Sequence, residues 1–184
     1  MYKHHMENSY TAFAGAQQIA NGSLQDVTLA AKSSYDAGLT HLLIFDDLSG
    51  RQIDVDLRNA ASEIKPNGPL RGRPRLGVTS REVTLLPRHW EWLADQPGGA
   101  SAALRRLVDQ AENSASGLAE KSRTAAYRIM LALAGDLPGY EEANRALFAG
   151  DLEMVEVLAK AWPRDISAYV QKRIEELRAL LETP

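Results

Sequence analysis

Leu42-Leu43-Ile44-Phe45-Asp46-Asp47-Leu48-Ser49-Gly50-Arg51-Gln52-Ile53-Asp54-Val55-Asp56-Leu57 is the stretch that decides the fold of this chain. Its first four residues form a continuous apolar run, Asp46 to Gly50 supplies turn chemistry, and Gln52 to Leu57 alternates strictly. Ile53, Val55 and Leu57 are directed to a core and Gln52, Asp54 and Asp56 to water, the two-residue period of a half-buried strand. The stretch therefore predicts a β-hairpin.

On its N-terminal side, Tyr10 to Ala14 and Gln17 to Ala20 are short β-compatible segments with Gly15 between them, and Asn21-Gly22 is expected to break the second. Ser23 and Asp26 have the spacing of a capping box, followed by Leu24, Val27 and Ala31 at helical intervals, so a helix is expected to run to Tyr35 or Asp36 and stop at Gly38. The order strand, strand, helix, strand, strand makes residues 1–62 a small α+β domain, with residues 1–8 a polar tail. His4 and His5 in that tail are a metal pair in principle and an ordinary mobile terminus on composition.

On its C-terminal side the composition changes. Residues 63–80 contain Lys65-Pro66-Asn67-Gly68-Pro69 and Arg71-Gly72-Arg73-Pro74-Arg75, which forbid helix and predict an extended linker. Residues 81–184 then read as a mainly helical domain that begins with a short strand at Arg81 to Leu86. A helix over Arg88 to Gln96 follows, and a second starts at Ser101. In that second helix Leu104, Leu107, Val108 and Ala111 form the apolar face and Arg105, Arg106 and Asp109 the wet one. Four further helices are expected, over about Leu118 to Leu133, Tyr140 to Phe148, Leu152 to Trp162 and Ile166 to Leu181. Asp136 and Asp151, each in an Ala-Gly-Asp-Leu tetrapeptide, are N-cap candidates.

The 184 residues carry 21 Lys+Arg and 24 Asp+Glu, a net charge of -3 that rules out a uniformly basic coat. By segment the picture differs. Residues 1–70 hold five basic and eight acidic side chains, net -3; residues 71–106 hold seven Arg and three acids, net +4; residues 107–184 hold nine and thirteen, net -4. Every base of the positive segment is Arg, the side chain suited to bidentate phosphate and base contacts. The chain has no Cys, which removes disulfide frameworks, zinc fingers and thiol nucleophiles. No apolar run reaches a membrane span or a secretory signal, so a cytoplasmic protein without a membrane partner is expected.

Arg71-Gly72-Arg73-Pro74-Arg75 resembles the core of an AT-hook, in which an extended Arg-Gly-Arg-Pro element lies in the DNA minor groove. Arg81-Glu82-Val83-Thr84-Leu85-Leu86-Pro87 with the two helices after it resembles the ribbon-helix-helix family. That likeness implies a homodimer whose paired strands enter the major groove, either with Leu86, Thr84 and Glu82 inward and Arg81, Val83 and Leu85 toward DNA or, shifted by one, with Val83 and Leu85 inward and Glu82 toward phosphates. Over nearly its whole length the chain is similar to an uncharacterised bacterial family, domain-of-unknown-function family 2239. That similarity rests on Tyr10 to Gly15, Phe45-Asp46-Asp47, Arg71 through Val108 and Ala134 to Gly139. It implies no activity.

Other constellations have plainer readings. Asp46, Asp47, Asp54 and Asp56 could face a hard cation, or could be a turn opening and a solvated strand face. His89 with Glu91 or Ser101 could serve catalysis, whereas Trp90 and Leu93 fit a core and Trp92 and His89 fit a contact or stacking surface. Pro97-Gly98-Gly99-Ala100-Ser101 could present amides to a phosphate, or simply turn the chain between helices. No catalytic residue, metal or cofactor is assigned.

The reading that follows is a DNA-binding regulatory protein, homodimeric, with Arg71, Gly72, Arg73, Pro74 and Arg75 in the minor groove of duplex DNA and Arg81, Arg88, Arg105 and Arg106 on phosphates. A non-enzymatic protein-interaction module and a small enzyme are the alternatives.

Overall fold

Residues Tyr10–Ala14 (β1) and Gln17–Gly22 (β2) form the first hairpin, Leu24–Asp36 is helix α1, and Leu42–Asp46 (β3) and Gln52–Ile53 (β4) form the second hairpin. The computed structural model describes residues 9–58, 77 and 79–182. The strands make one antiparallel sheet in the order β2-β1-β3-β4, so the two hairpins meet along their first strands. Seven helices are assigned among the described residues: α1, then Pro87–Ala94 (α2), Gly99–Asn113 (α3), Ala115–Ala134 (α4), Tyr140–Ala149 (α5), Leu152–Ala159 (α6) and Arg164–Glu182 (α7). The architecture is mixed α+β, with the sheet at the N-terminal end.

Alternation along the strands gives the sheet two apolar faces. Ala12 and Ile44 meet Val27 and Ala31 of α1, with Ile53, Val55 and Leu57 packed around them. Phe13 and Phe45 turn to the other face, where their rings stand edge-on at 6.3 Å and both meet Tyr169 of α7. They continue into a cluster built from α4 to α7, including Ile129, Met130, Leu147, Val155, Trp162, Ile174 and Leu177. Each of those helices contributes small or aliphatic residues at helical spacing, and α4 and α7 share the most extensive helix pairing.

Several boundaries depart from the sequence reading. Asn21-Gly22 does not break β2: Asn21 pairs with Thr11 and Gly22 with Tyr10, because the Asn21 amide bonds inward to the sheet. Only Gln52 and Ile53 of the alternating run enter the ladder. Val55 and Leu57 still pack against the α1 cluster, so the burial period survives where the pairing stops. Arg81 to Leu86 is not a strand; the segment is irregular and mostly exposed, without a ladder partner among the described residues. Helix α3 starts at Gly99 behind Gly98, with no capping bond from Ser101, and α5 is capped by Gly139 rather than Asp136. Asp151 does cap α6, accepting from Met154 N–H at 3.0 Å, and Ser23 accepts from Asp26 N–H at the start of α1.

Candidate functional site

Helices α2 and α3 form an arm that packs on itself and reaches the rest of the molecule chiefly through α4. Pro87 at the first helical position and the extended Leu86 before it set where α2 begins, with His89 N–H bonded to the Leu86 carbonyl at 2.8 Å. The return turn is closed by Gly99 N–H on the Gln96 carbonyl (2.9 Å) and by Arg106 Nη1 on the Pro97 carbonyl (2.9 Å). At the far end Ser114 caps α4 through Gly117 N–H (3.0 Å). A side chain at Gly117 would overlap the Ala111 carbonyl, so this sharp junction needs a glycine.

The arm buries little. Leu93 and Ala103 are covered, but Val83, Leu86, Trp90, Trp92, Leu107 and Val108 are 42–56% exposed, so neither Trp90 nor the expected apolar face of α3 lies in a core. Around this surface Arg81, Arg88 and Arg105 are exposed and form no ion pair among the described residues. Arg106 is exposed too, with one N–H held by the turn. Arg71, Gly72, Arg73, Pro74 and Arg75 lie outside the described residues. His89, Glu91 and Ser101 are all exposed, and no bond joins them into a catalytic set among the described residues.

A second constellation, which the sequence reading missed, lies between the sheet and α7. Asp47 is 6% exposed, and its Oδ1 accepts from the Thr11 hydroxyl (2.8 Å) and the Tyr169 hydroxyl (2.6 Å). Its Oδ2 accepts from Asn21 Nδ2 (3.2 Å). Arg173 Nη1 donates to the Asp47 carbonyl (2.9 Å) and Nη2 to Glu176 Oε1 (2.7 Å), with the guanidinium 5.5 Å from the Tyr169 ring centre. Arg173 Nε is buried and has no hydrogen-bond partner among the described residues.

A buried carboxylate is costly unless its lone pairs are filled by donors, and here three side chains fill them. Burial and donation to Asp47 push the Tyr169 hydroxyl well above its usual range; burial also raises Glu176, against the pull of Arg173. The same turn is held elsewhere by Arg128 Nη1 on the Ser49 carbonyl (2.8 Å) and by Gly50 (φ +64°), whose missing side chain leaves room for the Ala125 backbone. The donors come from β1, β2 and α7, so this centre ties the sheet to the helices. A signal was present: Tyr169 and Arg173, four apart, interrupt the apolar face of α7 made by Ile166, Val170, Ile174 and Leu177.

Asp46 does open the turn, its Oδ1 accepting from Leu48 and Ser49 N–H, both at 2.9 Å, while Asp54 and Asp56 face outward. Among the described residues no group of three His, Asp or Glu side chains is placed to hold a metal ion, and no helix is long and apolar enough to cross a membrane. The model of the DUF2239 family, uncharacterized proteins conserved in bacteria, matches residues 9–174, and the chain belongs to that family. No curated protein and no solved structure matches it.

Proposed function

We propose that this member of the DUF2239 family is a DNA-binding regulatory protein that acts as a homodimer through the α2–α3 arm. One observation carries the reading: a segment that ends at Pro87 and has no ladder partner among the described residues leads into two helices that leave Trp90, Trp92, Leu107 and Val108 uncovered, and Arg81, Arg88 and Arg105 beside them lack acidic partners among the described residues. Isolated helices of this length are marginal in water and draw their stability from packing, so the arm needs a second surface. A second copy supplies one, pairing segment to segment and covering Leu86, Leu107 and Val108. Arg81, Arg88, Arg105 and the free N–H groups of Arg106 then meet phosphates, while Arg71, Arg73 and Arg75 enter the minor groove from one side.

Fluorescence anisotropy with duplex DNA tests this. With about five phosphate contacts, raising the salt about fourfold lowers the affinity ~500-fold, and replacing Arg71, Arg73 and Arg75 by Ala weakens binding at every salt concentration. Binding that is absent or indifferent to salt overturns the reading. The apolar character of the exposed surface favours a second one, a protein-interaction module, which predicts a partner protein held by Trp92 and Val108 and no affinity for DNA.

A further inference from the structure

The two edges of the sheet are finished differently. On β2, the Gln18 backbone N–H donates to Asp165 Oδ2 at the start of α7 (3.0 Å), so a side chain covers an edge donor. On the other side, β4 is two residues long beside the five of β3. Asp46 N–H donates to the Arg51 carbonyl (2.9 Å), which makes Asp46 and Arg51 a hydrogen-bonded position and the next pair, Phe45 and Gln52, a non-bonded one. The N–H and C=O of Gln52 therefore point away from β3, and neither has a partner among the described residues.

That edge borders an open cleft of about 480 Å³, with Arg51 and Gln52 on one side and Arg128, Leu131 and Ala132 of α4 on the other. Arg51 is exposed with no acidic partner among the described residues, and Arg128 uses one N–H on the Ser49 carbonyl. Leu131 is 49% exposed. The cleft thus combines unpaired backbone groups, an apolar wall and two guanidinium groups, and no carboxylate lines it.

We propose that the β4 edge docks an extended acidic peptide segment of a partner protein. The segment adds as a fifth strand beside Gln52, sets its carboxylates against Arg51 and Arg128, and lays alternate apolar side chains on Leu131 and Ala132. Main-chain bonds supply affinity in such strand addition, and charge selects the sequence.

The test is a titration of the ¹⁵N-labelled full chain with an acetylated, amidated hexapeptide of alternating glutamate and valine, followed by amide shifts. Saturable shifts centred on Gln52 and Leu131 are expected, with the lysine-for-glutamate peptide bound about tenfold more weakly or worse, the loss of a charge-assisted bond. Gln52→Pro removes the outward N–H without breaking a bond to β3, which an edge position tolerates, and abolishes binding; Arg51→Glu weakens it about tenfold. Shifts mapping elsewhere, equal affinity for the two peptides, unchanged binding by Gln52→Pro and Arg51→Glu, or no saturation overturns the proposal. Concentration-dependent broadening at Gln52 without peptide assigns the edge to a second copy and overturns it as well.

Discussion

The Asp47 centre and the α2–α3 arm use similar ingredients to opposite ends. Around Asp47, a carboxylate, a tyrosine, a threonine, an asparagine and an arginine come from β1, β2, the β3–β4 turn and α7, and nearly every lone pair and donor is matched inside the chain. In the arm, two amphipathic helices carry apolar and arginine side chains that find few partners among the described residues. Amphipathic patterning states that a face must be covered. It does not state by what, and the two regions are the two possible answers.

The sharpest way to break the comparison is Asp47→Ala. It takes the acceptor from the buried Thr11 and Tyr169 hydroxyls between the sheet and α7, while the Asn21 amide keeps Thr11 Oγ1 and the Tyr10 carbonyl, and it should lower unfolding free energy by about 3–5 kcal/mol in urea denaturation. Leu93→Ala comes next. Emptying the covered side chain between α2 and α3 should cost about 2–4 kcal/mol, read as faster amide exchange in the arm with little change at β1 or α7.

Tyr169→Phe is smaller, about 1–2 kcal/mol, for one lost bond to a charged acceptor. It also has a pH signature. The folded pKa of Tyr169 lies above the unfolded value, so its contribution is complete below about pH 10 and declines as the pH rises beyond it; the variant should lose that part of alkaline destabilisation in a pH series of urea midpoints. Smallest of all is Val108→Lys, which should change the stability of the isolated chain by less than ~0.5 kcal/mol, since the site is already exposed. If the arm pairs with a second copy, the same change should shift the mass measured by light scattering from dimer to monomer. A large loss of monomer stability instead would mean that Val108 is covered within the chain.

Local patterns in the sequence were strong enough to locate the hairpins, α1 with its Ser23 cap, and the helical remainder within a few residues, because turn chemistry and apolar period act over short distances. They failed where the deciding partner is distant. Asp46-Asp47 reads as a solvated turn, yet Asp47 is buried because Tyr169 and Arg173, more than 120 residues later, supply its donors. Gln52 to Leu57 alternates like a strand, but pairing needs β3 opposite, and only two residues keep that register. Ser101 has good capping chemistry and is passed over because Gly98 turns the chain first.

By itself the sequence determined which segments turn, which alternate and which coil, the confinement of positive charge to residues 71–106, and the membership of the chain in its family. Tertiary structure decided which of those amphipathic faces meet. Phe13 and Phe45 close on α7, Asp47 is sealed beneath the sheet, and the arm is left with its apolar face open. The physical reason is range: a backbone preference is written in neighbouring residues, whereas the burial of a side chain depends on atoms brought from anywhere along the chain.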